Sequence, residues 1–330
     1  MPAVQRIFRV VGLPAFLWVM SCSVAMADTP KTISAADLNW LRRDGFDVDS
    51  ANLARFQQLG RTGLLDAQLA DRISDPLPRS IATLLASYPA PSMPLETSVQ
   101  AFRTEQQRVN AMPEGDERIA AKKALQQQAN AYGDQARKVL MLRAVYGPNQ
   151  LKEQLVWFWL NHFSVLSAKG QVRLFAADYE ERVIRPHALG KFKDLLLATL
   201  KSPAMLEYLD NAQNAQGKVN ENNARELLEL HTLGVNGGYT QQDVQQLALI
   251  LTGAGLAPLD GREQKIGPRM EPLLVRDGLF EFNPKRHDFS DKVLLGQPIP
   301  GTGFDEIRQA VELIARPPAS LCAIRLSATG

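Results

Sequence analysis

Cysteine is almost missing from this chain: Cys22 and Cys322 are the only two in 330 residues. That count suits neither a disulfide framework nor a cysteine-rich metal site. Histidine is scarce as well, so any imidazole chemistry has to come from His162, His187, His231 and His287. An excess of one charge is also lacking, because 37 Lys and Arg stand against 35 Asp and Glu. Nucleic-acid phosphates demand a basic face, and this balance argues against such a partner. Beyond the N-terminus no apolar run approaches the roughly 20 residues a bilayer-spanning helix needs.

The one long apolar run, Val10 to Val24, follows Arg6 and Arg9 and precedes Ala25-Met26-Ala27. Basic residues, a short apolar segment and an A-x-A site together read as a signal peptide over residues 1–27, with the mature chain starting at Asp28. The expectation is therefore a periplasmic or secreted protein with no transmembrane segment after cleavage. A lipoprotein acylated at Cys22 is the alternative, and Met20 fits its small-residue requirement poorly. Cleavage removes two arginines and Cys22, which leaves 35 basic and 35 acidic residues and a lone Cys322. The roughly 300 remaining residues bury a large core without staples.

What is present is helical pattern. Residues 28–145 form an N-terminal helical region: Leu38 to Leu41 turning at Asp44-Gly45, then Leu53, Phe56 and Leu59 up to Gly60, then Leu64, Leu65 and Leu69. Prolines 76, 78, 89, 91 and 94 mark a connector. Leu95 to Arg143 is rich in Gln, Ala, Lys and Glu, good helix formers, and Met112-Pro113-Glu114-Gly115 divides it into an antiparallel pair. Composition shifts at Tyr146-Gly147-Pro148, and residues 146–316 carry the His, Glu and Asp motifs. Residues 317–330 form an atypical tail. Leu279 to Phe282 and Val293 to Leu295 alternate over short spans and predict a small β-hairpin. The expected fold is a mainly α, multi-helix single domain with that hairpin near its C-terminus.

The densest chemistry lies in Val219 to Leu233, VNENNARELLELHTL. At 3.6 residues per turn Asn222, Arg225, Glu226 and Glu229 share one face, while Ala224, Leu227, Leu228 and His231 share the other. The polar face reads either as an ion-pair ladder or as a functional carboxylate pair. His231 points away from both glutamates, so this is not a single-helix metal motif of the HExxH type. Asp210 to Glu221, DNAQNAQGKVNE, starts and ends like an EF-hand loop, but Ala212 and Ala215 replace a ligand and the required glycine. It reads as an Asx-rich cap or a looser cation site. The helix from Gln150, with Trp157, Phe158, Trp159 and His162, is apolar nearly all round and predicts an interior position. His187 sits in a turn between Pro186 and Gly190, beside Arg185 and ahead of a helix. It reads as a surface histidine or as an anion site at that helix N-terminus. His287-Asp288 is the only His-Asp neighbour pair.

In order, WFWLNHF, IRPHALGKFKDLL, PAMLEYLDN, VNENNARELLELHTLGV with GYTQQDV and LTG, and F.F.P..HD...K..LG closely resemble the bacterial domain-of-unknown-function 1800 family. The likeness runs from the LRRDGF segment near Leu41 through Gly296. It implies an exported, mainly helical protein, often encoded beside a secreted sulfatase-like family, with no reaction assigned. The chain departs from the family pattern at Ala254, where Trp usually follows LTG. The tail after Arg316 is unlike the family's continuation, which predicts a truncation or frame change there.

All four histidines fall inside these segments. The resulting hypothesis packs the Val219 to Leu233 helix beside Trp157 to Phe163 and folds the His287-Asp288 loop over its polar face. The expected catalytic set is His162, Glu226, Glu229, His287 and Asp288, with imidazole as acid or base oriented by a carboxylate. A divalent metal is the sharper variant, with His162, Asp210, Glu221, His231 and His287 as candidate ligands. Two functions follow: a hydrolytic envelope enzyme, or a non-catalytic assembly or carrier protein for a neighbouring exported sulfatase-like enzyme.

Overall fold

Ser34 starts the first described helix, Ala35–Asp44, as a capping box: its hydroxyl accepts from the Asp37 amide at 3.1 Å while the Asp37 carboxylate reaches back. The computed structural model describes residues 33–259 and 265–316. The signal segment, both cysteines and the 317–330 tail lie outside the described residues. Asp49 caps the second helix, Ser50–Leu69, which bends where Gly60 takes a φ of 70°. The proline-rich connector holds only the short helices Arg79–Ala86 and Pro89–Ser92. Leu95–Asn110 and the long Asp116–Tyr146 helix then pack on each other, as the composition predicts.

Gln150–His162 follows, capped by Asn149. Its all-round apolar pattern predicts burial, yet Trp157 stays 37% exposed because Phe46, itself 44% exposed, packs edge-on at 6.0 Å without covering it. Val172–Asp178 runs on through a π turn, Tyr179–Ile184, into Arg185–His187. Phe192–Lys201 and Pro203–Tyr208 come next. The central stretch forms an α segment, Glu221–Glu226, and a second π turn, Leu227–Thr232. There the Leu233 amide skips a residue to bond the Leu228 carbonyl at 2.9 Å. Gln241–Ile250 and Phe304–Ile314 are the last two long helices among the described residues.

The strands pair differently from the sequence expectation. Phe280–Phe282 lies between Ala254–Leu256 and Val275–Asp277 in a three-stranded antiparallel sheet. Lys292–Leu294 pairs with Gln297–Ile299 as a separate hairpin near the C-terminus. Two-residue turns decide this: Leu295 and Gly296 both adopt positive φ, 51° and 73°, and return the chain at once onto its own neighbour. The resulting fold is mainly α with small antiparallel strand pairs.

One large hydrophobic core draws on both sides of residue 146, from Val99 and Phe102 through Phe163, Tyr179 and Leu228 to Phe282 and Ile314. A smaller cluster of Leu41, Phe56, Leu64 and Ile73 belongs to the first two helices and the segment after them. Among the described residues no helix is long and apolar enough to cross a membrane.

Candidate functional site

The two faces of the central helix sort as its periodicity predicts. Ala224, Leu227, Leu228 and His231 are buried, whereas Asn222 is exposed and Arg225, Glu226 and Glu229 are half-buried. Arg225 pairs with Glu221 at 3.4 Å and with Gln241 at 2.9 Å, and Gln241 also bonds Glu221 at 2.7 Å. Of the ion-pair ladder that the spacing allows, this Glu221–Arg225 rung forms. Glu226 and Glu229 make no hydrogen bond or ion pair among the described residues.

His162 and His231 are brought together. Nε2 of His162 donates to the His231 carbonyl at 2.9 Å, and the ring centroids lie 6.3 Å apart. Phe158, Trp159, Phe163 and Phe192 surround the His162 ring, and Phe163 also packs on His231 at 5.2 Å. Burial, helped by the neighbouring His162, lowers His231 to about 4, and burial lowers His162 as well. Burial thus favours the neutral form of both rings, which sit in an aromatic wall.

His287 and Asp288 stay together but lie elsewhere. Instead of covering the polar face of the central helix, the turn folds over the C-terminal end of Gln241–Ile250, with the Asp288 amide donating to Thr252 Oγ1 at 2.9 Å. His287 is buried, Nδ1 against the Thr252 carbonyl at 2.8 Å and Nε2 against Glu306 Oε1 at 2.9 Å. Glu306 binds the fully buried Lys292 at 2.7 Å, and Lys292 Nζ donates in turn to the Asp288 carbonyl. Burial opposes ionisation of Glu306, yet its bonds to His287, Lys292 and the Gly303 amide hold its carboxyl below the usual range. The side-chain polar atoms of His287, Glu306 and Lys292 all have protein partners, which fits a structural role.

The remaining metal candidates are also separate. Asp210 adopts φ 58° and pairs with Lys169 at 2.7 Å. Its loop uses its amides internally: Asn214 bonds the Ala248 carbonyl at 2.9 Å and the Asn220 amide at 2.9 Å. Asn211 reaches the Ala254 carbonyl at 3.0 Å, and Asn220 caps the central helix. Among the described residues no group of three or more His, Cys, Asp or Glu side chains is arranged to hold a metal ion.

Titratable groups from several elements do converge on open space at another place. A cavity of about 680 Å³ lies between the start of Leu95–Asn110, the π turn after Asp178, the Phe192–Lys201 helix and the tight turn at Asp277-Gly278. Glu96, Asp178, Arg182, His187, Lys201 and Asp277 line it. Nδ1 of His187 donates to the Val183 carbonyl at 2.7 Å, one helical turn back. That bond fixes the tautomer and leaves Nε2 a lone pair with no partner among the described residues.

The Asp178 side chain is largely buried; one carboxylate oxygen accepts from Arg182 at 2.8 Å and the other has no hydrogen-bond partner among the described residues. Burial pushes its carboxyl above the usual range, the Arg182 bond opposes this, and the Glu96 charge adds to the rise. Lys201 pairs with Asp277 across the rim and stands 5.7 Å over the Phe280 ring. Of these groups the sequence singled out only His187, through its Pro186 and Gly190 brackets. The Asp178–Arg182 pair, one turn apart, was the other legible signal.

Behind the cavity wall a buried cluster joins three segments. Arg185 meets Glu153 at 2.7 Å, Glu181 at 3.0 Å and Glu180 at 3.2 Å, while Arg143 holds Glu181 at 2.7 Å. Burial, against the pull of Arg185, raises Glu180 to about 8.

The family model described as Protein of unknown function (DUF1800) matches residues 39–326. The match extends past Arg316, into the tail that the motifs alone set apart. No curated protein and no solved structure matches the chain.

Proposed function

The chain belongs to the DUF1800 family of proteins of unknown function, and from that premise we propose an exported enzyme of hydrolytic type that works in the cavity beside His187. The observation that carries this reading is an oriented imidazole with a free Nε2, lining the same open space as the buried Asp178 carboxyl. A base fixed by a second group and an acid whose burial favours its protonated form are the two halves of acid–base catalysis. In this reading His187 takes the proton from an attacking water and Asp178 supplies one to the leaving group. The sequence-derived set is assigned to the frame: His162 and His231 to the aromatic wall, His287 and Asp288 to the buried Lys292–Glu306 network, and Glu226 and Glu229 to the solvated face. Export rests on the leader at residues 1–27, with Asp28 expected as the N-terminus of protein recovered from the periplasm or medium.

The test is a panel of chromogenic esters, phosphoesters and glycosides offered to the mature protein. Turnover is expected, with a loss of about a hundredfold or more in His187→Ala and an unchanged circular-dichroism spectrum. A panel with no turnover, or turnover indifferent to His187→Ala, rejects the enzyme.

A second reading is favoured by the exposed Phe46–Trp157 pair, an aromatic surface of the kind used in docking. It makes the protein an assembly or carrier partner for a neighbouring exported sulfatase-like enzyme. Co-purification with such an enzyme that disappears in Trp157→Ala would select it over the first reading.

A further inference from the structure

The chain from Asp178 to His187 works on two sides. Asp178, Arg182, Val183 and His187 line the cavity, whereas Glu180, Glu181 and Arg185 meet Arg143 and Glu153 in the buried cluster behind it. That cluster does not balance. Three carboxylates, Glu153, Glu180 and Glu181, share two guanidiniums, Arg143 and Arg185, and Oε2 of Glu153 is buried with no hydrogen-bond partner. The cations on the neighbouring helices are engaged elsewhere: Lys152 by Asp71, Arg173 by Asn130 and the Ala168 carbonyl, Lys193 by Glu312 and Lys201 by Asp277. On the cavity side Arg182 is paired with Asp178, and Glu96 and Asp194 are both acidic.

A fully ionised cluster would therefore bury an excess negative charge, which costs more than keeping one proton. Glu180 is the group that keeps it: burial raises its carboxyl to about 8 against the pull of Arg185, and the Glu181 charge adds to the rise. The join between this cluster and the cavity wall is weak. The Arg185 amide reaches past one residue to the Glu180 carbonyl, and Pro186, with no N–H, adds no backbone bond of its own across the join. The short Arg185–His187 segment is thus placed largely by what its side chains hold, and Arg185 holds all three carboxylates of the cluster.

We propose that the cluster is a proton switch on the cavity: while it keeps its proton, the π turn holds Asp178 and His187 on one space, and on losing it the Arg185–His187 end shifts and separates them. The added charge is what drives the shift, because moving Glu180 out of the cluster lets its carboxylate meet water. The switch itself stands on the cluster and the turn; that it regulates activity rests on reading the cavity as the working site.

NMR on the isotope-labelled mature protein tests it between about pH 6 and about pH 10, a window centred on the Glu180 value. The amides of Tyr179 to Ile184 and the ring carbons of His187 are expected to shift together with a midpoint near 8, and the isosteric Glu180→Gln, always neutral, to keep the low-pH spectrum throughout. Glu181→Gln removes a charge that helps raise Glu180, so the midpoint should fall by roughly one pH unit. A spectrum flat across the window, a transition that leaves the His187 ring unmoved or persists in Glu180→Gln, or a midpoint indifferent to Glu181→Gln overturns the switch. Turnover of the chromogenic substrates should be lost with the same midpoint. The transition without any turnover keeps the switch and rejects the enzyme; turnover without the transition does the reverse.

Discussion

Glu180 is where a single buried group sets a measurable property. Its carboxyl is held at about 8 by burial, while the unfolded chain restores the ordinary 4.5. Between those values the folded protein keeps a proton that the unfolded chain has released, so stability falls as pH rises through this window. Denaturant unfolding should therefore give a lower stability at pH 8 than at pH 5, and Glu180→Gln, always neutral, should remove most of that slope. An unchanged slope in the variant would mean that Glu180 is ionised and fully paired with Arg185. At this scale the sequence was informative about burial and silent about partners. The period of VNENNARELLELHTL separated His231 from Glu226 and Glu229, as the structure has it. Nothing along the chain linked His287 to Glu306 or His187 to Asp178.

Elements follow from local rules wherever those rules are strong. Thr240 and Asp243 form a capping box, with the Asp243 amide 3.2 Å from Thr240 Oγ1 and the Thr240 amide 2.8 Å from the Asp243 carboxylate. The helix they start packs Val244, Leu247 and Ala248 into the large core, and Asp243 also accepts from the Leu295 amide at 2.7 Å. Thr240→Ala should cost about 1 kcal/mol of stability, read as a lowered denaturant midpoint at constant slope. No change there would mean that the helix start is fixed by packing alone. The π turns escaped the sequence reading because one inserted residue barely disturbs a 3.6-residue period over six positions. The hairpin partners escaped it because alternation marks a strand and leaves its neighbour unspecified.

For the whole molecule, two cores of unequal size imply unequal stability. The cluster of Leu41, Phe56, Leu64 and Ile73 is small and is tied to the rest through Asn149, Gln150 and Lys152, which bond Gln68, Asp71 and the Phe46 amide. Hydrogen exchange should find Ala35–Asp44 and Ser50–Leu69 opening at lower free energy than Gln241–Ile250. Equal protection would show the two cores to be one cooperative unit. The sequence by itself determined the helical class, the main helix boundaries and the apolar faces, because periodicity, caps and breakers act over a few residues. Only the tertiary structure decided which polar groups meet. It gathered Glu96, the Asp178 to His187 segment and Asp277 around one cavity from three separate parts of the chain, and it set His287 and Lys292 beside Glu306 in the interior. Such meetings depend on how packed elements are oriented, a quantity that no local pattern encodes.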